Sequence, residues 1–312
     1  MGDPVTAPLE FEPVARAIHD GQTMNSDDHA SSAQSGVAHA LAQLQQIFAV
    51  GPIVVLSGAG LSTASGIPGY RDDDGRWMGA KPMDHRDFIR DERARKRYWA
   101  RSFVGWKTMG AAHPTIGHRA LARLEAAGRV AAIITQNVDG LHQKAGSHAV
   151  LELHGAIGRV VCLSCRATLE RSLVQQWLHE LNPAFDPESA RLAPDGDAHV
   201  DASVYEDFSL AACPHCAGVL KPDVVFFGDS VPRARVEATL SAIDAAAGLL
   251  VVGSSLTVYS GYRFARHAFD TGKCVIAVNR GKTRADALFA AKAADSCDAF
   301  LARLEALESL SP

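Results

Sequence analysis

Six short apolar runs, each closed by a turn rich in Gly, Asn or other polar residues, set the strongest limit on how this chain can fold. They lie at 53–56, 130–134, 150–153, 224–227, 249–252 and 275–278. Most are β-branched or Leu-rich and lack polar alternation, as strands buried on both faces of a parallel sheet do. Stretches with helical spacing lie between them, at 115–127, 232–247 and 260–272. In the first of these, Ile116, Leu121 and Leu124 are the expected inward positions. Alternation of this kind predicts an α/β fold of Rossmann type, a doubly wound parallel sheet with helices on both faces. Upstream, Val37, Leu41, Leu44 and Phe48 predict an amphipathic helix that ends near Gly51. Residues 1–35 read as a disordered extension, since 20–35 is rich in Asp, Ser, Gly and Asn. Met1 and Met24 are both candidate starts.

Charge narrows function more than fold. The 312 residues carry 31 Lys plus Arg against 35 Asp plus Glu, a formal charge of −4. Such a chain has no global field for nucleic acid. No apolar run approaches the roughly 20 residues that span a bilayer. The N-terminus shows no secretory signal, so a cytoplasmic protein is expected. The net value averages unlike parts. Residues 86–101 hold seven basic and three acidic side chains and read as a solvated helix face, with a docking surface as the alternative. Residues 186–207 hold seven acids against one Arg, and 182–208 reads as a long solvated loop.

Six cysteines are too few for a disulfide scaffold, so their spacing carries the information. Cys162-Leu-Ser-Cys165 and Cys213-Pro-His-Cys216 are two knuckles whose thiolates can complete one tetrahedron. Four protein ligands leave no open position, so the expected ion is a structural zinc. A pair of redox dithiols is the alternative. Cys274 reads as a small core residue, and Cys297 is ambiguous from pattern alone.

The run at 53–56 leads into Gly58-Ala-Gly60 and then a Ser- and Thr-rich helix start, a geometry suited to cradling phosphates. Thr63 stands where a third glycine would be, so the bare motif is weak. His154 follows another strand, and ligands bind beyond the carboxyl ends of strands in such sheets. Gln136, Asn137 and Asp139 lie in a second post-strand turn expected nearby. An imidazole of ordinary pKa suits a general base at neutral pH. His113, His118, His142 and His148 read as solvent or core residues.

Taken together, these motifs resemble the sirtuin family of NAD-dependent protein deacylases. The matching pieces are Gly58-Ala-Gly-Leu-Ser-Thr-Ala-Ser-Gly-Ile-Pro-Gly-Tyr-Arg71, Thr135-Gln-Asn-Val-Asp-Gly-Leu-His142, Leu153-His-Gly155, both CxxC pairs, Lys221-Pro-Asp-Val-Val-Phe-Phe-Gly-Asp229, Gly253-Ser-Ser255 and Val278-Asn-Arg-Gly281. They span about residues 40 to 300, and the tract 253–264 is similar to the class II branch. The resemblance implies a Rossmann-type NAD domain at 36–72, 111–158 and 219–308. It implies a small domain inserted in two pieces, a helical one at 73–110 and the zinc module at 159–218.

The resemblance also implies roles. Gly58, Ala59, Gly60 and Ser62 would hold the pyrophosphate. Ile67, Pro68 and Asp139 would line a nicotinamide pocket, with Tyr70 and Arg71 on a mobile loop and Tyr70 also near the acyl group. Gln136 and Asn137 would position the nicotinamide ribose. Gly253, Ser254 and Ser255 would meet the phosphate and adenosine side, with Asn279 on the adenosine ribose and Cys297 near adenine. Val225, Phe226, Phe227 and Gly228 would pair with an acylated-lysine peptide as an added strand. The implied reaction frees lysine, releases nicotinamide and forms O-acyl-ADP-ribose, with His154 as general base and Asn137 beside it. Gly69, Tyr70 and Asp229 depart from the residues common in the family. No Tyr-x-x-Arg pair beyond Arg71 reads as a clamp for a succinyl or malonyl carboxylate, so neutral acyl groups are expected. Acylated proteins are the expected partners of a monomer, with no nucleic acid and no membrane. ADP-ribosyl transfer, a zinc-ribbon adaptor and a dehydrogenase are the rival readings.

Overall fold

The computed structural model describes residues 26–69, 76, 82–185, 191–192, 198–199 and 205–309. In chain order the first elements are α1 (Ser26–Val50), β1 (Ile53–Ser57), α2 (His85–Arg90), α3 (Glu92–Ala111), α4 (Ile116–Ala126), β2 (Val130–Thr135), α5 (Leu141–Lys144) and β3 (Val150–Glu152). Next come β4 (Gly155–Cys162), β5 (Thr168–Glu170), α6 (Arg171–Leu181), β6 (Arg191–Leu192), β7 (Ala198–His199) and β8 (Leu220–Val224). The chain closes with α7 (Arg233–Ala245), β9 (Gly248–Val252), α8 (Tyr259–Asp270), β10 (Cys274–Val278), β11 (Ala291–Ala293) and α9 (Cys297–Ser309).

The main sheet has six strands in the order β11-β10-β9-β1-β2-β3, all parallel. This is the doubly wound α/β sheet that the apolar runs predict. Every residue of β1 and of β9 is buried, which is why these runs show no polar alternation. Helices α1, α4 and α9 cover one face through Leu44, Leu121, Phe300 and Leu301. Helices α7 and α8 cover the other through Ile243, Phe264 and Ala265. Each of these Leu, Ile and Phe side chains contributes roughly 1.5–3 kcal/mol by leaving water. The winding reverses at β1, which lies between β9 and β2. That reversal leaves a crevice beyond the carboxyl ends of the two central strands.

A second core lies outside this sheet. Phe88, Tyr98, Trp99 and Phe103 of α2 and α3 pack with Val160 of β4, Val174 and Leu178 of α6, and Phe226. Strands β5, β4 and β8 form a small antiparallel sheet beneath them. Among the described residues, no helix is long and apolar enough to cross a membrane.

Several expectations need correction. Helix α1 begins at Ser26, so 26–35 is not a disordered stretch. Once the buried turns at 37–48 nucleate a helix, extension is easy across a segment with no Pro. Residues 1–25 lie outside the described residues. Ile116 is exposed, because it is the first residue of α4, whereas Leu121 and Leu124 do point inward. The strand expected at 224–227 is displaced. β8 ends at Val224; beyond it the Val225 N–H donates to the His154 carbonyl at 2.9 Å and Phe227 bridges to Asp84. β8 also pairs antiparallel with β4 rather than joining the parallel sheet. The 182–208 region is not simply a solvated loop. β6 and β7 pair within it, and Tyr205 and Phe208 are buried in the second core. Segments 186–190, 193–197 and 200–204 lie outside the described residues.

Gly155 fixes how β4 meets β8. Its φ is +83°, and a Cβ there would come within 1.9 Å of the Asp223 carbonyl oxygen. Left-handed backbone and a backbone clash both oppose any side chain. Gly155→Ala is therefore expected to destabilise the protein by about 2–4 kcal/mol, read by urea denaturation. Wild-type stability in that variant would show that the strands are free to separate.

Candidate functional site

A cavity of ≈ 960 Å³ occupies the crevice at the carboxyl edge of the main sheet. Gly58, Ala59 and Gly60 reach it from the loop after β1, and Gln136 and Asn137 from the loop after β2. His154 enters after β3, Gly253, Ser254 and Ser255 after β9, Asn279 after β10, and Cys297 from the start of α9. Pro68 joins them, and Val225, Phe226, Phe227 and Gly228 form the facing wall. Sixteen of the predicted site residues thus line one space.

The glycines are required first by the protein's own packing. The Gly60 N–H donates to the Gly253 carbonyl at 2.8 Å, and Gly58 N–H to that of Val252 at 2.9 Å. A Cβ on Gly58 would meet the Ser254 Cβ at 2.7 Å, and one on Gly60 the Gly253 Cα at 2.8 Å. The β1 and β9 loops therefore touch backbone to backbone. The helix start expected after Gly58 is instead two single 3₁₀ turns at Ala59–Leu61 and Thr63–Ser65.

Three predicted residues brace this loop from behind instead of lining the cavity. Ser62 is fully buried, and its Oγ donates to Asp139 Oδ2 at 2.7 Å. Asn137 Nδ2 donates to Ser62 Oγ at 3.0 Å and to the Gly58 carbonyl at 3.1 Å. Asp139 turns its other oxygen to the Leu141 N–H at 2.9 Å. Ile67 is buried with Met109, Val138, Leu141 and Ile157. Tyr70 and Arg71 lie outside the described residues.

His154 is held at both nitrogens. Nδ1 lies 2.9 Å from the Gln136 carbonyl oxygen, which can only accept, so Nδ1 carries the proton and donates. Nε2 is then the bare acceptor, and Ser260 Oγ donates to it at 2.9 Å. Burial lowers the pKa of His154, the Gln136 carbonyl opposes that shift, and the charges of Arg263 and Arg235 add to it. The ring is thus neutral at pH 7 with its free lone pair fixed in direction. Gln136 is itself pinned, its Nε2 donating to Ser254 Oγ at 2.8 Å and to the Ser57 carbonyl at 3.3 Å. A Cβ on Gly261 would strike its Oε1 at 2.3 Å, so α8 needs glycine there to approach.

Sequence reasoning missed Ser260 and Arg263, which also line the cavity. They stand at i and i+3 on α8. The readable signal was the long turn after β9, which delivers the start of α8 to the sheet's carboxyl edge. Contrary to the expectation that no Tyr-x-x-Arg pair follows Arg71, Tyr98-Trp-Ala-Arg101 has that spacing. Tyr98 is buried, its ring 5.5 Å from Phe88 and 5.1 Å from Phe226, and neither residue lines the cavity.

The four knuckle cysteines lie apart from this cavity. Their Sγ atoms all fall within 4.8 Å of one another. Cys162 and Cys216 are 3.5 Å apart, Cys165 and Cys213 3.7 Å. A tetrahedral ion with bonds of about 2.3 Å to sulfur needs sulfurs about 3.8 Å apart. A disulfide needs about 2.05 Å, and all four cysteines are free. Each knuckle folds back on itself through a residue at positive φ, Arg166 and Ala217. The cluster fits one tetrahedral metal ion.

Known proteins share this arrangement. Residues 58–260 match the sequence profile of the Sir2 family. The chain is 50% identical to an NAD-dependent protein deacetylase of Streptomyces coelicolor over 80% of its length and 83% of that protein. It is 48% identical to one of Bordetella bronchiseptica, over 81% of this chain and 92% of the other. Among solved structures, a Sir2 enzyme superposes with a TM-score of 0.67 at 30% identity, covering 89% of this chain and 100% of that one. A Sir2 protein with a p53 peptide and NAD+ superposes with a TM-score of 0.63 at 27% identity, over 83% and 94%. A doubly wound sheet, a four-cysteine cluster and His154 at the sheet's carboxyl edge thus coincide with extended sequence identity, and the chain belongs to the Sir2 family.

Proposed function

We propose that this protein is an NAD-dependent protein-lysine deacetylase, yielding free lysine, nicotinamide and O-acyl-ADP-ribose. The observation that carries this is His154, neutral and with Nε2 directed into a cavity shared with the two glycine loops. NAD supplies a ribose activated by its bond to nicotinamide. Gly58, Ala59, Gly60, Gly253, Ser254 and Ser255 present close-packed backbone to its phosphates. Asn279 and Cys297 serve the adenosine end, with Gln136 and Asn137 at the nicotinamide ribose and Pro68 at the nicotinamide. Ser62, Asp139 and Ile67 act through the loop they brace. Val225, Phe226, Phe227 and Gly228 receive the acyl-lysine peptide. His154 Nε2 accepts a proton from the ribose hydroxyls, and Nδ1, tied to Gln136, keeps the ring aligned as it does so.

Cys162, Cys165, Cys213 and Cys216 hold a structural zinc, and the second core around them forms the small domain. Paired thiolate knuckles that hold a metal suit a reducing compartment, and we propose a cytoplasmic protein. The test is a purified-protein assay with acetyl-lysine peptide and NAD. Nicotinamide release in step with deacetylation is expected. Peptide deacetylation without NAD, or ADP-ribosylated protein as the sole product, would overturn the reading.

Ser260 offers a check on the His154 geometry. Its hydroxyl lies 2.9 Å from Nε2 and helps to fix the direction of the ring. Ser260→Ala should therefore lower kcat by roughly 2- to 10-fold with KM for NAD little changed, and Ser260→Thr, which keeps the hydroxyl, should retain most of the activity. An unchanged kcat in Ser260→Ala would show that this hydrogen bond does not persist in the working enzyme.

A further inference from the structure

Asn279 follows β10 into the cavity, and the chain beyond it is basic. Residues 280–292 hold Arg280, Lys282, Arg284 and Lys292 against a single acid, Asp286. Two of these cations hold the loop together. Lys292 Nζ donates to the Gly281 carbonyl at 2.9 Å and to Asp286 at 2.8 Å. Arg284 donates to the Thr257 carbonyl at 3.2 Å and lies 4.5 Å from the Tyr262 ring centroid. The other two, Arg280 and Lys282, are exposed, and both line the cavity. Among the described residues, neither side chain has an ion-pair or hydrogen-bond partner.

The backbone that carries this pair is braced. The Arg284 N–H donates to the Ser255 carbonyl at 2.9 Å, which ties the loop to the one after β9. Asn279 Nδ2 donates to the Gly281 carbonyl at 2.9 Å, so its Oδ1 is left to accept. The charge of Arg280 also reaches Cys297. Burial pushes that thiol up to about 12, and Arg280 acts against the rise. Asp295, the carboxylate two residues before Cys297, faces Arg303 at 3.6 Å. Dinucleotide-binding sheets use an acid at the adenosine ribose to hold its 2′-hydroxyl, whereas an arginine near that ribose accommodates a 2′-phosphate. An amide at 279 followed by two unpaired cations fits the second pattern.

Resting on the placement of the adenosine ribose at Asn279, we propose that this end of the cavity also binds dinucleotides that carry a phosphate on the adenosine ribose, in competition with NAD. The phosphate is held between Arg280 and Lys282, and Asn279 Oδ1 accepts from the ribose hydroxyl that remains. A phosphate monoester carries roughly −1.5 to −2 charges at neutral pH, and guanidinium and ammonium groups suit it. Both cations stand in solvent before binding, so the free protein keeps no buried charge for this purpose. The phosphorylated dinucleotide thereby excludes NAD from the cavity.

The probes are ADP-ribose and its 2′-phosphate, which differ only in that phosphate, titrated calorimetrically into the full chain with and without NAD. The readout is the ratio of their dissociation constants, which a general loss of nucleotide affinity leaves unmoved. The wild type should bind the phosphorylated probe about 10-fold more tightly in dilute buffer, an advantage that shrinks as salt screens two exposed cations. NAD should displace both probes. The double variant Arg280→Gln, Lys282→Gln should bring the ratio to about one, and Arg280→Glu, Lys282→Glu should invert it. A wild-type ratio of one or below, with NAD still displacing ADP-ribose, overturns the proposal and leaves the deacetylase reading standing. A ratio that the double Gln variant leaves intact also overturns it. Displacement of the phosphorylated probe by equimolar inorganic phosphate would reduce the pair to a general anion patch, and overturns it too. If NAD displaces neither probe, the cavity is not the cofactor site, and the deacetylase reading fails together with the proposal.

Discussion

Replacing His154 with Ala is expected to lower NAD-dependent deacylation by about 10²–10⁴-fold, the usual worth of a positioned general base. The loss falls on chemistry, because the ring lies at the cavity wall and supports little of the core. Its partners are the Gln136 carbonyl and the Ser260 hydroxyl, both able to turn to water in the cavity. At most two ordinary hydrogen bonds are lost, about 1–2 kcal/mol of stability. His154→Tyr should be as inactive, since a phenol of pKa about 10 is a poor proton acceptor at neutral pH. Nicotinamide release measured beside thermal unfolding separates the two effects. Wild-type turnover in either variant would remove His154 from the mechanism. Collapse of the fold in both would show instead that its role is structural.

The second large effect concerns the cysteine cluster. Cys162 and Cys213 are buried in the second core, while Cys165 and Cys216 are exposed. Removing one ligand, as in Cys165→Ser, is expected to release the zinc and unfold that core. Coupled binding and folding at such sites is worth on the order of 10 kcal/mol or more, comparable with the whole stability of a domain. The damage should spread to the active cavity. Cys162 ends β4, which pairs with β8, and β8 leads directly into the wall at Val225–Gly228. Elemental analysis should find one zinc per wild-type chain, and chelation should abolish both activity and the cooperative unfolding of the small domain. A metal-free protein with unchanged melting and turnover would leave the cluster as a pair of dithiols.

Much of this was legible from the chain itself, for local reasons. A strand buried on both faces has no polar positions, so β1, β2, β9 and β10 announce themselves as continuous apolar runs. The knuckles are equally plain, since two residues between cysteines is a local geometric requirement for a shared ion. The errors arose where pairing is non-local. Val225, Phe226 and Phe227 look like a strand, but Leu220–Val224 is what pairs with β4, across a long chain interval. Tyr205 and Phe208 sit in an acidic stretch and are buried by contacts with distant helices.

Sequence alone determined the sheet type, the four cysteines that cluster, the family resemblance and most of the cavity's lining, because each rests on periodicity or on spacing within a few residues. Tertiary structure alone decided which atoms face each other. It set the proton on Nδ1 of His154 by placing the Gln136 carbonyl 2.9 Å away, and it aimed Ser260 at Nε2. It withdrew Ser62, Ile67 and Asp139 from the cavity surface and delivered Arg263 to it. A side chain's partners depend on the angle and distance between elements far apart in the chain, and no local pattern encodes these. They exist only once both faces of the sheet are packed.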